Sequence, residues 1–209
     1  MNHRITFLRH GVTTANVESV IQGQLDYPLS EAGVAQARAL AAAWRRAGTR
    51  FDAIISSPLV RARRTAEIIA EALGVAFEVD EAWQERRLGE AEGRPGDETF
   101  ALLEHPPTPY EPVFRSGESE WDLYLRAAGA VQSLVRRPPG ASLVVSHGAI
   151  LNAALRSILG IPPRGRAWPT RLVFDNTGYA VLEYEPESAR WSLERLNETS
   201  HLPSMEAGA

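Results

Sequence analysis

Hydrophobic and polar positions fall into blocks whose period switches at clear breakpoints. Residues 4–8 are a short apolar run that halts at Arg9-His10-Gly11, the length and punctuation of a buried strand. A loop through Gln22-Gly23-Gln24 and Asp26-Tyr27-Pro28 follows. Val34, Ala37, Leu40, Ala41 and Trp44 then recur at helical spacing, with Ser30 as N-cap and Gly48 closing the helix. Residues 52–56 predict a second strand, broken by Ser57-Pro58. Ala62, Ala66, Ile69, Ala70 and Leu73 predict a helix ending at Gly74, and residues 75–79 a third strand. Ser119, with Asp122 three positions later, starts a helix carrying Leu123, Ala127, Ala130 and Leu134 on one face. Residues 142–146 contain the apolar Leu143-Val144-Val145 and stop at His147-Gly148; residues 150–159 are helical up to Gly160-Ile161-Pro162-Pro163. The period then becomes strand-like at 172–174, 179–184 and 191–196.

Alternating strands and helices predict an α/β fold, a three-layer α/β/α sandwich whose mainly parallel sheet is covered on both faces. The three C-terminal strands should finish that sheet as a hairpin or meander. The Pro- and Gly-richer stretch 93–117, with a short helix near 99–103, reads as a substrate-side excursion from a single domain spanning 1–209. Residues 203–209 read as a loose tail.

Composition narrows the chemistry. The 209 residues contain no Cys, which excludes disulfides, thiol nucleophiles and thiolate metal sites. All 22 basic residues are Arg, so a Walker-type Gly-Lys loop and a Schiff-base lysine are excluded as well. With 26 acidic residues the net charge is −4, and no basic run marks a nucleic-acid surface. No segment approaches the roughly 18 apolar residues of a membrane span, and the N-terminus reads as a strand, not a signal segment. The expectation is a cytoplasmic protein with no nucleic-acid or membrane partner. A homodimer is compatible with the sequence, which does not fix the oligomeric state.

Ligands of open α/β sheets bind beyond the carboxyl ends of the strands. Arg9 and His10 end the first strand here, Arg61 follows the second and His147 ends the fourth. Two imidazoles and two guanidiniums at one sheet edge make a cationic pocket suited to a phosphoryl group. Helix starts near Arg61 and His147 should add free N–H groups. Neighbouring Arg side chains keep an imidazole neutral, and a neutral imidazole is a competent nucleophile. A leaving alkoxide needs a proton, and Glu85, just past the third strand, is the candidate acid ahead of Glu90 and Glu92. His10 reads as a strand-end surface group. Arg63, Arg64, Arg136 and Arg137 read as solvated helix faces, and His3, His105 and His201 as non-catalytic. Either Arg86 or Arg87 could face a substrate carboxylate or second phosphate. No His pair has metal-ligand spacing.

Leu8-Arg9-His10-Gly11-Val12-Thr13-Thr14-Ala15-Asn16 resembles the signature of the histidine phosphatase superfamily, the phosphoglycerate mutase-like proteins. The likeness continues in order through Gln22-Gly23, Pro28-Leu29-Ser30-Glu31-Ala32-Gly33, Ser56-Ser57-Pro58-Leu59-Val60-Arg61-Ala62, Glu85 with Gly89 and Glu92-Gly93, Ser116-Gly117-Glu118-Ser119, and Val145-Ser146-His147-Gly148. The resemblance implies that His10 is the phosphorylated nucleophile and that Arg9, Arg61 and His147 hold the transferring group. It makes Asn16 a phosphate contact and Glu85 the general acid, then base. Gln22 and Gly23 would touch the rest of the substrate, and no metal or organic cofactor is implied. Val12, the short excursion and the absence of Lys resemble the phosphatase branch more than the 2,3-bisphosphoglycerate-dependent mutases, which stand as the runner-up. A non-catalytic phosphate-binding module is the third reading. Many phosphatases of this kind carry an aromatic residue where Ala91 stands, so one wall of the site is expected to be open or reshaped.

Overall fold

The computed structural model describes residues 1–101, 108–164 and 172–203. His105, the end of the helix expected near 99–103 and most of the tail lie outside them. Strands β1 (His3–Arg9), β2 (Ala53–Ser56), β3 (Phe77–Val79), β4 (Ala141–Ser146), β5 (Tyr179–Glu185) and β6 (Arg190–Glu198) form one six-stranded sheet in the order β3-β2-β4-β1-β5-β6. β3, β2, β4 and β1 run parallel, and β5 and β6 add an antiparallel hairpin at the β1 edge.

Strand alternation feeds two cores. Ile5 and Phe7 of β1, with Ile55, Val144, Ala180 and Leu182, face helices α5 (Glu120–Val135) and α6 (Gly148–Ile158). Leu8, Ile54, Leu143, Val145 and Val181 face α2 (Glu31–Arg46) and α3 (Val60–Leu73). This is the expected α/β/α sandwich. Fully burying a side chain such as Phe7 contributes about 1.5–3 kcal/mol, so the alternation fixes which face each strand residue occupies.

Local signals set the helix ends. Ser30 Oγ accepts from Gly33 N at 3.1 Å. Ser119 and Asp122 form a reciprocal capping box, and Gly74 closes α3 in the left-handed conformation at φ +69°. Among the described residues there are also two short α-helices, α1 (Thr14–Val17), capped by Thr13, and α4 (Gly96–Ala101) within the excursion.

Two expectations are corrected. Residues 172–174 form no strand: Leu172 and Phe174 are buried and Val173 is exposed, as alternation implies, but they pair with no ladder. The Phe174 carbonyl instead accepts from Arg9 Nη1 at 2.7 Å. β3 is shorter than 75–79 because Val75 N donates back to Ala70 O, at 3.1 Å, to finish the α3 cap.

Candidate active site

The ends of β1, β2 and β4 lie side by side because their hydrogen bonding continues past the strands. His10 N donates to Ser146 O at 2.9 Å, and Ser57 N to Val145 O at 3.0 Å. Gly11 N then donates to Thr65 Oγ1 at 3.1 Å, tying the loop after β1 to α3. A Cβ on Gly11 would lie 2.5 Å from Gly33 O, so this crossing requires glycine.

A cleft of about 380 Å³ opens over these strand ends, lined by Arg9, His10, Asn16, Gln22, Gly23, Arg61 and Glu85, with Arg86, Leu88, Val113 and Ala149 among its other walls. His10 is only 3% exposed, so it is a buried group and not the surface group expected from its place at a strand end. Its Nδ1 lies 2.7 Å from Gly11 O. A carbonyl oxygen only accepts, so Nδ1 carries the proton and Nε2 the lone pair. Burial, then the Arg61 and Arg9 guanidiniums, hold His10 well below the ordinary 6.5 and keep that lone pair available.

Arg61, 1% exposed, donates from Nη1 to Leu25 O (2.8 Å), from Nη2 to Gly23 O (2.7 Å) and from Nε to His147 Nδ1 (3.1 Å). Gly23, at φ +49°, presents its carbonyl from a backbone conformation that favours glycine. Because Arg61 Nε must donate, His147 is protonated on Nε2, which lies 2.7 Å from Ser57 Oγ. His147 stands behind the cleft: it is fully buried, its ring centroid is 5.1 Å from that of His10, both its nitrogens are engaged, and it is not among the lining residues. In this arrangement it orients Arg61.

Arg9 Nε is buried and makes no hydrogen bond to a described residue, so it offers a charged donor for an anion in the cleft. Asn16 Oδ1 accepts from Thr13 N (3.1 Å) and from Asn176 Nδ2 (3.3 Å), which leaves its amide N–H groups as the donors for a ligand. Gln22 Oε1 lies 3.0 Å from Thr13 Oγ1, with the same consequence.

Glu85 is fixed from several sides. Its carboxylate accepts from Arg86 N (2.8 Å) and from Ala149 N and Ile150 N in the first turn of α6 (3.2 Å each). At the two helix starts, Ala149 N and Ile150 N of α6 serve Glu85, and Val60 N of α3 donates to Asp26 Oδ1 (2.9 Å). The alternative acids point elsewhere. Glu90 Oε2 accepts from Ser116 N and Oγ, at 3.3 and 3.2 Å. Glu92 Oε1 accepts from Leu88 N (2.7 Å) and Gln24 N (3.1 Å).

Ala91 is buried and does not itself line the cleft, whose apolar lining includes Leu88 and Val113. Of the ambiguous pair, Arg86 lines the cleft while the exposed Arg87 donates from Nε to Ser116 O at 3.0 Å. Among the described residues, no group of three or more His, Asp or Glu side chains could hold a metal ion.

Three supporting residues escape sequence reasoning. Arg126 grips Glu118 through Nε and Nη2 (2.9 and 2.7 Å) and donates to the carbonyls of Ala82, Gln84 and Glu85, bracing the segment that carries the acid. Its signal was an Arg between Leu123 and Ala127 on a buried helix face. Asn176 Nδ2 donates to His10 O at 3.1 Å. Ser57 answers His147, although the Ser56-Ser57-Pro58 motif itself was conspicuous.

A family model described as "Histidine phosphatase superfamily (branch 1)" matches residues 5–199. The chain belongs to this superfamily. It is 33% identical to a probable phosphoglycerate mutase of Yersinia pestis over 95% of this chain and 94% of that protein. A mycobacterial glucosyl-3-phosphoglycerate phosphatase solved with VO3 superposes with a TM-score of 0.80 at 31% identity, covering 93% of this chain and 98% of that one. A phosphoserine phosphatase from Entamoeba histolytica, in complex with phosphoserine, gives a TM-score of 0.80 at 26% identity and covers 96% of this chain and 100% of that one.

The histidines also couple the site to stability. His10 and His147 are held well below 6.5, chiefly by burial, and burial lowers His3 and His201 too. Below pH 6.5 the unfolded chain therefore takes up protons that the folded chain refuses, so stability falls as pH falls. Urea midpoints across this range should decline with acidity, and the slope should be shallower in a His10→Ala variant. Identical slopes would mean that His10 titrates normally.

Proposed function

We propose that this protein is a metal-independent phosphomonoesterase that works through a phosphohistidine on His10. The observation that carries this reading is the His10 tautomer. Its Nδ1–H is committed to Gly11 O, and Nε2 keeps its lone pair in a cleft shared with Arg9 and Arg61. Nε2 attacks phosphorus, the ester P–O bond breaks, and Glu85 gives the leaving alkoxide its proton. A water then attacks the phosphohistidine and Glu85 takes the water's proton. The P–N bond breaks, its electron pair returns to Nε2, and inorganic phosphate leaves. Arg9 and Arg61 neutralise the equatorial oxygens in both steps. Small phosphate esters fit the cleft volume, and the two phosphatase neighbours support hydrolysis. We take residues 1–209 as one histidine phosphatase domain with 93–117 as its substrate-side excursion, acting in the cytoplasm.

The likeness to a probable phosphoglycerate mutase supports a second reading, in which the phosphoryl group returns to an organic acceptor. A mutase must shield the phosphohistidine from water and hold a second phosphate. The only cations of the described excursion, Arg94 and Arg115, are both exposed and line no part of the cleft. Incubation of 3-phosphoglycerate with chelator, with and without catalytic 2,3-bisphosphoglycerate, separates the readings. Hydrolysis predicts free phosphate in both arms. Bisphosphate-dependent formation of 2-phosphoglycerate with little phosphate released would assign the mutase reaction, and activity restored only by added metal would overturn the metal-independent mechanism.

A further inference from the structure

The turn after Phe174 holds an unusual backbone against the nucleophile. Thr177 is fully buried and adopts φ +59°. A β-branched residue rarely takes this left-handed conformation, which costs energy and persists only where the surroundings enforce it. Here the end of β1 enforces it. Thr177 N donates to Arg9 O (3.1 Å) and His10 O (3.2 Å), and Gly178 O accepts from Arg9 N at 3.1 Å. Thr177 Oγ1 gives its one proton to Asn176 O at 2.7 Å, so it accepts from His201 Nε2, 2.9 Å away. The turn is thereby locked on two sides, and it sets the direction of the Asn176 side chain.

We propose that Asn176 is a positioning residue: anchored on the backbone of the nucleophile, it holds the Asn16 amide in the orientation that presents Nδ2 to the phosphoryl group. The inference rests on the phosphatase reading and adds a residue to its machinery. Asn176 does not line the cleft, so it acts through its neighbours. Its Nδ2 donates to His10 O at 3.1 Å and to Asn16 Oδ1 at 3.3 Å. An amide nitrogen carries two hydrogens, so one group serves both acceptors. A flip of the Asn16 amide would set N–H against N–H, which disfavours the flipped state. Thr13 N and Thr13 Oγ1 donate to the same Asn16 oxygen, at 3.1 and 3.0 Å. The hydroxyl has a single proton, however, and Gln22 Oε1 also lies 3.0 Å from it. Thr13 caps α1 and moves with Asn16, whereas Asn176 lies 160 positions away in the chain and registers that amide against His10.

The test is a double-mutant cycle on nitrophenyl phosphate with wild type, Asn176→Ala, Asn16→Ala and the double variant. Asn176→Ala should lower kcat/KM by roughly tenfold, the scale of one or two hydrogen bonds between neutral groups, and raise the vanadate inhibition constant by a similar factor. In the Asn16→Ala background the same substitution should cost under about threefold, because residues that act through one another are not additive. Losses that multiply overturn the proposal, since a merely structural role for Asn176 lowers activity with or without the Asn16 side chain. Unchanged kcat/KM in Asn176→Ala overturns it as well. If Asn176→Ala does not fold, Asn176→Ser takes its place in the cycle with the same expectations, since one hydroxyl proton cannot serve both acceptors. If wild type turns over no phosphate ester, the hydrolase reading fails instead. Calorimetric binding of inorganic phosphate to the same four proteins then decides the role of Asn176 separately. Affinity lowered by Asn176→Ala only where Asn16 is present upholds it; an effect that is absent, or that persists without Asn16, overturns it.

Discussion

Replacing His10 with Ala should lower turnover by roughly 10⁴-fold or more, the scale seen when a covalent nucleophile is removed, while the protein still folds. The loss is large because nothing else in the cleft can substitute. Glu85 is committed to three backbone N–H groups. His147 is fully buried, with one nitrogen on Arg61 and the other on Ser57. Folding should survive because the side chain's one hydrogen bond, to Gly11 O, is local, and its loss costs about 1 kcal/mol. The backbone of His10 remains anchored through Ser146 O and Asn176 Nδ2. Removing an imidazole between two guanidiniums also relieves the desolvation that keeps it neutral. The chemical signature should be as clear as the rate. A phosphoramidate bond is labile in acid and persists in alkali, so an alkaline quench with labelled substrate should leave label on wild type and none on His10→Ala. Label on another residue, or an acid-stable adduct, would remove His10 from the mechanism.

Much of this site was legible in the sequence because its residues sit where elements end. A strand that stops at Arg9-His10-Gly11 and another at His147-Gly148 bring their side chains to one edge of a parallel sheet, whatever the details of the helices. Capping residues such as Ser30, Ser119 and Asp122 were legible for a similar reason: they act on backbone only three positions away. What the sequence hid acts at long range and without period. Arg126 braces carbonyls more than forty positions earlier, and no spacing rule announces such a strut. The apolar alternation at 172–174 correctly foretold burial, yet a strand also needs a neighbour to pair with. There the Phe174 carbonyl serves Arg9, and Asp175 N serves the Asn197 side chain. A strand end is usually a surface, whereas His10 is buried, with its backbone carbonyl held by Thr177 N and Asn176 Nδ2. His147 shows the limit of a motif. Its place at a strand end is legible, but its bonds to Arg61 and Ser57 belong to the folded chain alone.

Replacing Glu85 with Gln should discriminate between leaving groups. An alkoxide must be protonated as the ester bond breaks, whereas nitrophenolate departs largely unaided, and general acid–base assistance is typically worth about 10²–10⁴-fold. The variant should therefore lose about that much kcat/KM on glycerol phosphate and under about tenfold on nitrophenyl phosphate for the phosphorylation step. Gln is not a neutral replacement sterically. The native carboxylate accepts N–H groups at both oxygens, from Arg86 and Ile150 on one and from Ala149 on the other. An amide keeps one acceptor and turns its NH2 toward a donor, so some displacement of the α6 start is expected and should slow every substrate alike. Only the part of the loss that grows with leaving-group pKa measures proton donation. A series of aryl phosphates therefore gives the decisive plot: the slope of log kcat/KM against leaving-group pKa should be steeper in Glu85→Gln than in wild type. Glu90 and Glu92 cannot flatten it, since the first is held by Ser116 and the second by Leu88 N and Gln24 N. Parallel lines for the two enzymes, displaced only vertically, would reduce Glu85 to a positioning residue and leave the proton to solvent.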